Sequence, residues 1–215
     1  MVKTNEDLQR EKEFTPSTGR IEAFSDGVFA IVVTLLVLEL RVPELVTTFT
    51  NADALNALYN MLPKFTGFIV SFVVIAIYWV NHHQLFQSLE YADRPLLWYN
   101  NFLLFWMCFI PFPTALIGEY PLKMVPVMLF GTVMTLAGIS FNMMVRHCMK
   151  ADLFKKTIPR SRLNKSAKRG SIGPVVYFAS IIAALFSTYI SLAIFILVPI
   201  LYFIPQKIVV EKDDE

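Results

Sequence analysis

The sequence predicts an all-α polytopic membrane protein with six transmembrane helices, and three observations predict it. Of 215 residues, 55% are hydrophobic and only 17% charged, where a soluble domain carries about 25% charged residues. Apolar runs recur at the roughly 20 residues that a helix needs to cross a hydrocarbon core about 30 Å thick. Lys and Arg gather in alternate loops, as they do around membrane spans. The mean hydropathy of +0.54 argues against a soluble enzyme. A formal net charge of +2 is too small for a dedicated nucleic-acid binder.

Residues 1–19 are strongly charged and read as a cytoplasmic segment, with no secretory signal before the first apolar stretch at Ile21. The first crossing covers about 21–41. The second covers about 62–82, extended at its start by the more polar 52–61. The third covers about 96–117 and the fourth about 123–145. The last apolar run, 171–205, would span roughly 50 Å as one helix, too long for a bilayer. The polar cluster Ser187-Thr188-Tyr189 therefore divides it into crossings at about 171–187 and 190–205. Residues 20–205 thus form one six-helix transmembrane domain with a basic loop at 146–170, followed by a C-terminal tail, 206–215. Pro111, Pro113 and Pro126 predict kinks or ordinary packing in the third and fourth crossings. Trp79, Trp98 and Tyr99 fall near predicted helix ends, suited to the headgroup level.

Six crossings place both termini on one side. That side receives Lys3, Arg10, Lys12, Arg20, Arg94, Lys207, Lys212 and the nine Lys/Arg of 146–169. The other receives only Arg41, Lys64 and Lys123. The asymmetry assigns both termini to the cytoplasm and the chain to the cell membrane. The 146–169 stretch holds a single acid, Asp152. It suits anionic lipid headgroups, though topology enforcement explains it equally.

The first crossing carries the unusual chemistry, beginning Arg20-Ile21-Glu22-Ala23-Phe24-Ser25-Asp26-Gly27. A carboxylate at the bilayer centre costs about 2.5–3.5 kcal/mol on insertion scales, less near the interface, so Asp26 calls for a partner or a water-filled cavity. At 100° per residue Arg20, Phe24, Gly27, Ile31, Thr34, Leu35 and Leu38 share one stripe, while Ser25 and Asp26 point elsewhere. The pair is expected to engage neighbouring helices. The stripe suits either a packing face, with Gly27 permitting close approach, or a central pathway. The Thr34 hydroxyl also has an ordinary role, bonding back to a carbonyl one turn earlier.

The second crossing ends in another polar cluster, Tyr78-Trp79-Val80-Asn81-His82-His83-Gln84. His82 and His83 project about 100° apart, so they do not make the same-face pair of a helical zinc site. A network reaching Asp26 or Ser25 is the better expectation, since it would offset the burial of both clusters. Cys108 and Cys148 are too few for a disulfide framework or a Cys-rich metal site. The chain contains no phosphate loop, nucleophile elbow or His-Glu-x-x-His helix, and no Thr-Val-Gly-Tyr-Gly filter. No enzyme, cofactor or resident metal is expected.

Arg20-x-x-x-Phe24-Ser25-Asp26, followed by Gly27-Val28-Phe29-Ala30-Ile31 and Thr34-Leu35-Leu36, resembles the first-helix signature of the transmembrane protein 175 potassium-channel family, in its short prokaryotic form. The His82-His83 cluster and the six-span layout are similar too. The resemblance implies a homotetramer whose central pore is lined by the first helix of each subunit. It implies a constriction at Ile31, with further layers at Leu35 and Leu38. Thr34 would be a hydroxyl layer favouring potassium, which passes near Ile31 and Thr34. Arg20, Phe24, Ser25 and Asp26 would hold helices and subunits together, with His82 and His83 as partners. Glu39 and Glu44 either concentrate cations at the outer mouth or are solvated interfacial acids. The expected function is a modestly potassium-selective, hydrophobically gated cation channel. A proton-coupled secondary transporter using Asp26 and His82/His83 is the alternative; a membrane enzyme lacks a recognisable nucleophile.

Overall fold

The computed structural model describes residues 17–43 and 50–203 and is helical throughout. The helices among these residues are α1 (Thr18–Val37), α2 (Asn51–Asn60), α3 (Leu62–Gln87), α4 (Arg94–Phe109), α5 (Pro111–Glu119), α6 (Met124–Lys150), α7 (Arg160–Gly170), α8 (Ile172–Ala184) and α9 (Thr188–Phe203). The N-terminal segment up to residue 16, Glu44 and the tail from residue 204 lie outside the described residues.

Three stretches are long and apolar enough to cross a membrane: α3, the joined α4–α5 (Arg94–Glu119) and α6. Helix α1 has 20 residues but carries Arg20, Glu22 and Asp26. Helices α8 and α9, with 13 and 16 residues, are short for a crossing. The expected division of the last apolar run appears as the turn at 185–187, where Ser187 N–H donates to Ala183 O over 2.8 Å.

Several local expectations change. Residues 51–60 lead into the second crossing through Met61, which keeps a helical conformation. They form α2, started by a capping box in which Asp53 Oδ2 accepts from Thr50 N and Oγ1 over 2.8 and 2.7 Å. These bonds hold the Asp53 carboxyl below its ordinary range. Pro126 makes no kink, because it lies in the first turn of α6, where the lost amide has no intrahelical carbonyl to meet. Pro111 and Pro113 withhold the amides that Met107 O and Phe109 O would accept, but Ile110 keeps a helical conformation and its own bonds, so α4 and α5 form one membrane-length stretch.

The basic stretch is not a loop. Helix α6 continues to Lys150, a short antiparallel bridge joins Leu89 to Phe154, and α7 fills 160–170. Asp152 makes the sharp turn between them at φ 55°, a conformation Asp tolerates better than most residues.

Helix α6 is the hub, burying Val127, Phe130, Val133, Met134, Ala137 and Met144 among α4, α5, α8 and α9. Two glycines let α8 approach it closely. A Cβ on Gly131 would lie 3.0 Å from Ser180 Oγ, and one on Gly138 only 2.6 Å from Pro174 Cγ. Pro174 has no N–H to offer the Gly170 carbonyl four residues earlier. Asn142 of α6 replaces it, donating Nδ2 to Gly170 O over 2.8 Å. Helix α4 is tied to α6 by Asp93, which caps α4 at Leu96 N and meets His147 Nε2 at 2.8 and 3.0 Å.

Candidate functional site: the clamped first helix

Helix α1 has two differently committed arcs. Ile21, Ser25, Phe29, Val32 and Leu36 recur at helical spacing and are buried against the rest of the bundle. The stripe of Phe24, Gly27, Ile31, Thr34, Leu35 and Leu38 points out of the bundle, with Ile31 60% and Leu38 66% exposed. The outward side is therefore apolar and without cover from the other described residues.

The buried arc is fixed by a polar clamp. Asn100 of α4 donates Nδ2 to Ser25 Oγ over 2.9 Å. Ser25 passes its own proton to Ile21 O over 2.8 Å. Asn100 Oδ1, which can only accept, lies 2.8 Å from His82 Nε2, so that nitrogen carries the ring proton. Ser25, His82 and Asn100 are essentially inaccessible. His82 is held between Phe86, stacked at 4.4 Å, and the edge of Phe29 at 5.5 Å. Three helices thus meet in one buried polar knot.

A second layer is more exposed. Asp26 Oδ1 accepts from the Trp79 indole over 2.9 Å. Glu22 Oε1 lies 2.6 Å from His83 Nδ1. It sits off the line of the ring N–H, since that nitrogen has no aligned hydrogen-bond partner, and the contact is chiefly electrostatic. Gln87 Nε2 donates to His83 Nε2 over 2.8 Å, which leaves the neutral ring's proton on Nδ1, beside Glu22 but not aimed at it. Trp79 stacks on His83 at 5.9 Å.

In the expected network reaching Asp26 or Ser25, neither imidazole bonds either residue directly. His82 reaches Ser25 only through Asn100, Asp26 meets Trp79, and His83 meets Glu22. Asn100 had no sequence signal, because one amide inside an apolar run does not name its partner. Trp79 reads as a headgroup anchor from its position alone. Arg20 and Phe24 are exposed, and no side-chain partner is found for Arg20 among the described residues. Thr34 Oγ1 donates to Ile31 O over 2.8 Å, so its oxygen lone pairs stay directed outward. Among the described residues no group of three or more His, Cys, Asp or Glu could hold a metal.

Fold and clamp together define a multi-pass helical membrane protein whose first helix is locked on one arc and bare on the other. The family profile described as "Endosomal/lysosomal potassium channel TMEM175" matches residues 20–111, the segment that carries the clamp. A potassium channel of Chamaesiphon minutus is 35% identical over 181 residues, covering 82% of this chain and 89% of its own. The crystal structure of a lysosomal potassium-selective channel TMEM175 homolog from the same organism aligns with a TM-score of 0.77 and 32% identity. That alignment covers 86% of this chain and 95% of the other. An endosomal/lysosomal proton channel TMEM175 of Danio rerio is 36% identical over 110 residues, 49% of this chain but 21% of its own length. The chain belongs to the TMEM175 channel family.

Proposed function

We propose that this chain forms a potassium-preferring cation channel that conducts passively through a pore lined by α1 from each of four subunits. The reading includes six crossings, with α1, α8 and α9 added to the three apolar stretches, and both termini on the cytoplasmic side of the cell membrane. The observation that carries it is the bare stripe on α1. A helix locked on one arc by buried hydrogen bonds offers its other arc, in fixed register, to copies of itself.

Around a four-fold axis Ile31, Leu35 and Leu38 form stacked apolar rings, the narrowest at Ile31. Such rings exclude water when tight and admit ions when a small outward rotation wets them. Thr34 adds oxygen lone pairs beside the Ile31 ring, which favours an ion that loosens its hydration shell readily. Potassium does so more easily than sodium, and one hydroxyl layer yields a modest preference. Any potassium near Ile31 and Thr34 is in transit.

Bilayer recordings of the purified protein test this reading. A channel passes potassium without obligatory proton movement, and Ile31→Asn, which hydrates the constriction, raises conductance about ten-fold or more, as a lowered barrier of about 1.4 kcal/mol would. A strictly stoichiometric proton flux would favour the transporter reading instead, with Asp26 and His82/His83 as the relay. An Ile31→Asn protein that assembles and conducts as the parent does rejects Ile31 as the gate.

A further inference from the structure

The basic end of the bundle, where α6 stops and α7 runs into α8, carries a concentration of positive charge among the described residues. At 100° per residue, Arg162, Lys165, Lys168 and Arg169 occupy an arc of about 120° on α7. Leu163, Ala167 and Gly170 are half-buried on the opposite side. Two nearby acids are already engaged. Asp152 pairs with Arg160 at 2.9 Å, and Asp93 pairs with His147. Glu90 lies beside Leu153, before α7 begins, through Glu90 N–H to Leu153 O. Among the described residues Arg146, Lys150, Arg162, Lys165, Lys168 and Arg169 make no ion pair.

The depth of these cations follows from the backbone. Ser171, between α7 and α8, keeps a helical conformation at φ −77° and ψ −14°, so α7 prolongs α8 outward with little change of direction. Composition changes abruptly there, from the apolar Ile172–Ala184 to a helix with five basic residues and no acid. Lys168 and Arg169 precede Ile172 by four and three residues, about 5–6 Å along the axis. A headgroup layer is about 5–7 Å thick on each side of the hydrocarbon. Asn142, bonded to Gly170 O and to Ser171 Oγ, sets the register of α6 against this boundary. Arg146, one turn beyond Asn142, therefore stands at the level of Lys168 and Arg169.

We propose that the outward face of α7, next to α8, is a binding site for the phosphate of an anionic phospholipid, formed by Lys168 and Arg169 with Lys165 one turn further out. The inference rests on α8 crossing the membrane, as in the reading above. Charge complementarity selects the occupant. Cations with no ion-pair partner among the described residues, two of them at headgroup depth, are matched by the phosphodiester of a lipid such as phosphatidylglycerol. Juxtamembrane cations of this kind each add attraction to anionic lipid.

Native mass spectrometry of the full chain in detergent, titrated with phosphatidylglycerol or phosphatidylcholine, tests the site. The wild type should retain phosphatidylglycerol at least about five-fold better, the scale of one such cation. Lys168→Gln/Arg169→Gln should abolish the difference, while Lys155→Gln/Lys156→Gln, of equal charge change, should keep it. Equal retention of the two lipids by the wild type overturns the proposal. Equal loss in both double variants overturns it as well, by showing bulk charge alone. Displacement of the bound lipid by millimolar inorganic phosphate would show a free-anion site instead. Potassium flux is measured separately on the same preparations, so loss of lipid preference with intact flux refutes this site and leaves the channel reading standing.

Discussion

Asn100 is a small residue with a large responsibility, since its amide serves Ser25 and His82 at once inside a dry interface. Removing it orphans the His82 Nε2 proton and withdraws a donor from Ser25. Leaving a buried polar group unsatisfied costs about 1–3 kcal/mol. Asn100→Leu should therefore lower the unfolding free energy of the purified protein by that much, read from the shifted midpoint of helical circular dichroism on denaturant titration. Thr34 predicts the opposite pattern. Its hydroxyl is satisfied within its own turn, so Thr34→Ala should leave stability within about 0.5 kcal/mol while reducing potassium-over-sodium preference in mixed-ion reversal potentials. Unchanged reversal potentials would remove Thr34 from selectivity. Asp26 declares its need for a partner in the sequence, because a carboxylate within an apolar helix is costly alone. The identity of that partner is not legible there, since whether an indole, an imidazole or an amide arrives depends on how three helices cross.

At the scale of elements, length and polarity locate most of the helices. The division of 171–205 is readable because one straight helix would overshoot the bilayer, and the turn falls at 185–187, just ahead of Thr188. The helicity of 160–170 is not readable from charge, which suits a solvated loop as well as a helix. Its order comes from Leu163 and Ala167 finding cover and from α8 continuing it. The two glycines of α6 show how proximity is written as absence. Gly138→Ala would thrust a methyl into the Pro174 ring, and overpacking of this kind costs about 1–3 kcal/mol. A lowered melting temperature with a disturbed α6–α8 contact is expected, and Pro174→Ala on top of Gly138→Ala should recover part of the loss. Full stability of the single variant would mean that the two helices separate more easily than their spacing suggests.

For the whole molecule, the bundle is built from pieces of unequal independence. The α6 hub has its cover within the chain, whereas α1 turns Phe24, Ile31, Leu35 and Leu38 away from every other described helix. Four copies of the 24.6 kDa chain are the expected assembly, checked by light scattering of the detergent-solubilised protein with detergent mass subtracted. A lone subunit, however, incurs little penalty in a bilayer. Its bare stripe is as oily as the lipid around it, and its one hydroxyl is already bonded. Association then draws on shape and close contact, with no solvent-driven squeeze behind it. Such an equilibrium obeys mass action in two dimensions: diluting the protein with extra lipid should dissolve the tetramer into silent subunits, and crowding it should bring the current back.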